Sequence, residues 1–157
     1  MRSARALVLL VSAAVALATA SLAGAKIELQ KGIAGVRLQM SQTKVRAVLG
    51  KPTSTKRASN EFGPYTEFRY PALRVTFQGN GGVTNVSTTR ASEQTPGGIG
   101  VGATEAALKR ALRGETCKTE FGVRHCWLGK FLPGKRVTDF RIRKGRVDRV
   151  DIGFVID

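Results

Sequence analysis

Leu73, Val75 and Phe77 alternate strictly with Arg74, Thr76 and Gln78. A period of two sends the apolar set to one side of a strand and the polar set to the other. A chain that carries this pattern must build a sheet with one greasy face and must find something to lay on it. The same alternation closes the sequence, where Val150, Ile152, Phe154 and Ile156 share one face. Thr66–Tyr70, Val83–Thr88, Val123–Leu128 and Arg136–Arg143 also read as strands, the closing one spans Val147–Ile156, and Gly79-Asn80-Gly81-Gly82 supplies a turn.

Two short helices are the expected cover. Ser41 is a good N-cap, Met40 and Val45 stand at hydrophobic-staple positions, and Val45, Val48 and Leu49 form a stripe. Gly50 stops this helix and Pro52 prevents its resumption. Sixty-three residues later Thr104 takes the cap, Ala103 and Leu108 the staple, Leu108, Ala111 and Leu112 the stripe, and Gly114 the stop. Direct identities are few, Leu49 and Leu112 being the clearest, so what recurs is a pattern. Each helix is about nine residues long and marginal alone in water. In the final hairpin, Phe140 and Ile142 must face the same way as Val150 and Ile152. A plain two-residue Lys144-Gly145 turn would set Phe140 opposite Arg149. The expected register therefore puts Phe140 opposite Val150, through a three-residue turn or a glycine bulge.

The fold class expected is α+β: two tandem repeats of a short helix plus a three-stranded antiparallel meander, with the helices packed on one sheet face. Residues 26–96 form the first repeat and residues 97–157 the second, packed as one domain, with residues 26–39 contributing a short extended segment. The run Gly35-Val36-Arg37-Leu38-Gln39-Met40-Ser41, continuing through Val45 and Val48-Leu49-Gly50-Lys51-Pro52, resembles the opening helix of the SmpA/OmlA-like small envelope proteins. The β-lactamase inhibitory protein has a similar general fold of tandem helix-plus-sheet repeats. The resemblance implies an exported binding or assembly module rather than an enzyme. This sequence departs from the lipoprotein members in lacking an acylated cysteine. With Trp127 its only tryptophan, it is also poor in aromatic anchors. Inhibition of β-lactamase is not carried over.

Residues 1–25 read as a signal peptide: Arg2 and Arg5 give a positive start, Ala6 to Ala20 an apolar stretch, and Ala23-Gly24-Ala25 a cleavage site. The apolar stretch is shorter than the roughly 20 residues of a spanning helix. Lys26 follows the cleavage site, where a lipoprotein would place cysteine. The localisation expected is secreted or extracytoplasmic. The leader holds two of the 26 basic residues and none of the 11 acidic ones, so 24 against 11 leaves the mature chain at +13. Such a charge bears on partners rather than fold. Cys117 and Cys126 are the only cysteines, and an even number in an exported chain points to a disulfide.

Candidate chemistry is sparse. His125 needs a nucleophile and an orienting carboxylate to act in catalysis, and a bridged Cys126 leaves no thiol for it. Cys117, His125 and Cys126 are metal-ligand types, but adjacent strand residues point to opposite faces and a closed zinc site takes four ligands. Gly98-Ile99-Gly100-Val101-Gly102-Ala103 imitates a dinucleotide fingerprint without the preceding buried strand. No catalytic residue, metal or cofactor is therefore expected. Asp139, Asp148 and Asp151 lie among Arg141, Arg143, Arg146 and Arg149, as cross-strand ion pairs would. Arg69 and Arg74 project from the polar face of one meander and Arg141 and Arg143 from the other, with Arg146 at a hairpin tip. Together they suit phosphate or carboxylate groups. No aromatic residues are interleaved among them, which counts against single-stranded nucleic acid. The function expected is non-catalytic binding of an envelope protein or an anionic cell-surface polymer or lipid. The alternative is a secreted inhibitor of a hydrolase, with exposed aromatics among Phe62, Tyr65 and Trp127, or a small hydrolase.

Overall fold

Strands fall where the alternation is strongest. The computed structural model describes residues 26–156, and the signal peptide read in residues 1–25 lies outside them. The strands β1 (Ile27–Glu28), β2 (Gly32–Ile33) and β3 (Val36–Arg37) form a small antiparallel sheet. Next come α1 (Gln42–Leu49), β4 (Ser54–Asn60), β5 (Gly63–Tyr70), β6 (Leu73–Gln78) and β7 (Val83–Thr88). The chain closes with α2 (Glu105–Ala111), β8 (Thr116–Glu120), β9 (Val123–Leu128), β10 (Arg136–Arg143) and β11 (Arg146–Phe154). Strands β4 to β11 make one eight-stranded antiparallel sheet in the order β4-β5-β6-β7-β11-β10-β9-β8.

This architecture corrects the expected α+β class of two three-stranded meanders roofed by helices. The described residues are mainly β, with helices of only eight and seven residues. Strands β4 and β8 carry no apolar period because they are the two edges of the large sheet, with side chains largely exposed on both faces. The helices are also too small for the role assigned to them. At 1.5 Å per residue each is roughly 12 Å long, whereas eight strands spaced about 4.8 Å apart span roughly 35 Å. Capping occurs as expected: Ser41 Oγ accepts from the Lys44 amide at 3.3 Å and Thr104 Oγ1 from that of Ala107 at 3.1 Å. Yet α1 buries Val45 alone and leaves Val48 47% exposed, while α2 buries Leu108. Ile27, Ile33 and Val36 of the small sheet and Ile99 from the irregular chain before α2 cover the remainder.

The core lies on this covered face. Phe68, Phe77 and Phe140 are fully buried, the first two edge-to-face at 4.9 Å. The seam between β7 and β11 sets Val86 opposite Ile152 and Thr88 opposite Val150. In the final hairpin Phe140 does stand opposite Val150, but the turn is the two-residue Lys144-Gly145, both with positive φ, and a bulge between Arg141 and Ile142 shifts the register. Cys117 and Cys126 are cross-strand partners on β8 and β9 and form a disulfide, with Cα atoms 4.1 Å apart. A formed bridge belongs to an oxidising compartment.

Candidate functional site

The opposite face of the large sheet is left to polar side chains. Hydrogen-bonded register aligns one row across it: Ser54, Arg69, Arg74, Ser87, Asp151, Asp139, Trp127 and Thr116, one from each strand. A second row runs Arg149, Arg141, His125 and Lys118. Arg69 therefore stands directly opposite Arg74, and Arg141 directly opposite Arg149. Like charges in such positions destabilise a sheet. Both pairs line one cavity of about 430 Å³, with Ser87 and Thr89 hydroxyls in its wall.

The structure thus brings together three of the five arginines singled out in the sequence, Arg69, Arg74 and Arg141, and adds Arg149. Arg143 lies outside the cavity at 3.5 Å from Asp148, and Arg146 donates to the Gly102 carbonyl at 2.8 Å. Carboxylates offset most of the cavity's charge. Arg69 meets Glu67 at 2.6 Å, Arg149 meets Asp151 at 2.6 Å, and Arg141 grips Asp148 through two bonds of 2.7 and 2.8 Å. The Arg141 guanidinium holds the Asp148 carboxyl below its usual range, against the opposing effect of burial. Arg74 has no carboxylate within ion-pair distance among the described residues.

A second concavity lies toward the β8 edge. It is an open groove of about 480 Å³, lined by Lys118 and Glu120 of β8, Phe121 of the following turn, Val123, His125 and Trp127 of β9, Phe131 of the next loop, and Asp139 of β10. Gly129 starts that loop with a φ of 103°, and a side chain there would run into the Arg136 carbonyl. This close approach turns the chain so that Phe131 meets Trp127 edge-to-face, with centroids 4.9 Å apart and planes at 83°. Phe121 is fully exposed and Phe131 52% exposed. Among the aromatics named from sequence, Trp127 and Tyr65 are half-buried, and Phe62 is 36% exposed at a turn remote from this groove.

His125 and Asp139 meet diagonally across β9 and β10, Nδ1 to Oδ2 at 2.7 Å. Burial raises the Asp139 carboxyl above its ordinary range, the imidazole partly opposes this, and the Asp151 carboxylate adds to it. A carboxyl whose folded pKa is raised makes the native state bind more protons than the unfolded one, so its ionisation costs stability as pH rises. Asp139→Asn is accordingly expected to raise the urea midpoint at neutral pH, and the gain is expected to shrink as acid protonates the wild-type group. Glu105 works in the opposite sense. Hydrogen bonds from Arg124 and Lys109 lower it to about 2, so its contribution is full above the ordinary carboxylate range and lost as pH falls through about 2.

The remaining sequence candidates are dispersed. Cys117, Cys126 and Glu105 lie within 4.8 Å of one another, but the sulfurs are bonded together and offer no thiolate. His125 sits on the other face of β9 from Cys126. The glycines of Gly98 to Ala103 serve irregular turns, with the Gly98 amide bonded to the Thr95 carbonyl and the Gly102 amide to that of Val147. Sequence reasoning missed Arg149 as a cavity residue and the pairing of His125 with Asp139. Parity along β11 carried a signal for Arg149, whereas the pairing requires the β9–β10 register. No helix of the described residues is long and apolar enough to cross a membrane.

No family model matches this chain, and no curated protein matches it. Solved structures similar to it include an extracellular protein containing a SCP domain from Bacillus anthracis, 8% identical with a TM-score of 0.48. That likeness covers 74% of this chain, which spans 44% of the other's length. The uncharacterized protein yfeY from Escherichia coli is 11% identical with a TM-score of 0.47, over 83% of this chain and 98% of that one. These likenesses of shape are too distant to bear on role.

Proposed function

We propose that the mature chain is an exported, non-catalytic binding module that holds the phosphate or carboxylate groups of an envelope component on its polar sheet face. The observation that carries this reading is the pair of arginine–arginine cross-strand contacts around one cavity. Glu67, Asp148 and Asp151 offset three of these guanidiniums, and an anion placed beside Arg74, which has no carboxylate partner among the described residues, completes the pairing. The surrounding hydroxyls of Ser87 and Thr89 add donors, and the net charge of +13 favours approach of anionic surfaces. The resemblance to small envelope proteins implies the same kind of role. A hydrolase inhibitor would want its aromatic anchors at the sheet centre, where arginines stand instead. A hydrolase of the serine or cysteine type would want a hydroxyl or thiol beside His125, and the groove residues include neither.

Co-sedimentation with phosphatidylglycerol vesicles, phosphatidylcholine vesicles and cell-wall fragments at rising salt tests this. Binding to an anionic surface that weakens with salt is expected, because exposed charge contacts are screened. Absence of binding to any anionic surface at low ionic strength removes the proposal. Arg74→Thr is expected to separate function from stability. Threonine suits a strand and ends the repulsion with Arg69, so the ligand-free variant gains roughly 0.2–1 kcal/mol while its anion binding falls. A variant that loses stability shows that Arg74 is structural.

A further inference from the structure

The aromatic groove at the β8 edge is a second site, remote in chemistry from the arginine cavity. We propose that it binds a small organic ammonium, an apolar body carrying one protonated nitrogen. Three observations converge on that class. First, Trp127 and Phe131 meet at 83° and form a two-walled corner, with Phe121 exposed at the turn beside it. Aromatic faces attract cations through their ring quadrupoles. Second, the charge of the lining runs against that of the molecule. The lining sets two carboxylates, Glu120 and Asp139, beside the single ammonium of Lys118, in a sequence of net charge +15.

Third, Asp139 brings an incompletely paired carboxylate to the groove wall. Its Oδ2 is engaged by His125 Nδ1, while its Oδ1 is buried with no hydrogen-bond partner. A buried acceptor left unpaired is costly, and a carboxylate oxygen more so than a neutral one. An ammonium seated against the aromatic corner places a positive charge beside this carboxylate, whose Oδ2 the imidazole holds in place and whose Oδ1 is closed off from the groove. The size also fits: about 480 Å³ is within the usual range for small-molecule sites.

Trp127 is the only tryptophan, so its fluorescence reports on this groove alone. Three probes with one apolar body separate the alternatives: phenethylammonium, neutral 2-phenylethanol and anionic phenylacetate, titrated at about pH 8, where imidazole is ordinarily neutral. The expected order is cation, then neutral, then anion, with the ammonium bound about tenfold more tightly than the alcohol. Glu120→Gln and Phe131→Leu change exposed side chains, so both should fold. Each is expected to narrow the gap between cation and alcohol. Equal binding of cation and alcohol makes the groove merely apolar and overturns the proposal. Preference for phenylacetate assigns the site to Lys118 and His125 and overturns it too, as does the failure of all three to bind. None of these outcomes bears on the arginine cavity.

Discussion

Replacing Ile152 with alanine is expected to cost about 2–5 kcal/mol and to shift the unfolding of every strand together. Ile152 is fully buried on β11 and stands opposite Val86 of β7 and Thr138 of β10. The seam it occupies joins β4–β7 to β8–β11, and the core cluster runs continuously through it from Phe68 to Phe140. Truncation there leaves a cavity that neighbouring strands cannot close without breaking ladder bonds. The test follows urea unfolding by Trp127 fluorescence, which senses β9, and by far-ultraviolet circular dichroism, which senses all strands. In wild type and variant alike the two curves should coincide, with the same midpoint drop in both. Curves that part company would mean that each set of four strands holds its own core.

Continuity across that seam was the least legible part of the fold, and the reason is physical. Alternation identifies a strand by its buried face. It is clean in β6, and apolar and β-branched runs located β7, β9 and β10 at their observed limits as well. β4 and β8 bury almost nothing, so Ser54–Asn60 and Thr116–Glu120 carry no such mark. Parity even settled that Phe140 faces Val150, although the bulge that achieves it lies at Arg141 and Ile142 rather than in the turn. The helices show the reverse error. Their caps are strong local signals, and a strong local signal says nothing about how much surface a short helix roofs. At the sites, Arg69, Arg74 and Arg141 could be assigned to a polar face strand by strand. The meeting of His125 with Asp139 could not, because it depends on a seven-residue loop, residues 129–135, whose length leaves the β9–β10 register open. Phe121 and Phe131, which frame the groove, sit in turns where apolar residues break the pattern instead of following it.

The second large effect is expected at the edge that pattern reading missed. Cys117→Ser with Cys126→Ser should cost about 2–3 kcal/mol by loop-closure entropy. Its structural consequence is expected to be uneven. β8 pairs only with β9, and none of its side chains is fully buried, so ladder bonds and the disulfide are what hold it. In the double variant, amide exchange should accelerate first in Thr116–Glu120, while β10 and β11 stay protected up to the lowered global stability. Because Lys118, Glu120 and Phe121 ride on that edge, Trp127 should lose its response to phenethylammonium at denaturant concentrations where circular dichroism still reports a folded sheet. The arginine cavity, built on β5, β6, β7, β10 and β11, should keep its anion binding under the same conditions. Uniform acceleration across the sheet, or a groove unaffected by loss of the bridge, would show that β8 is held by packing rather than by its covalent tie.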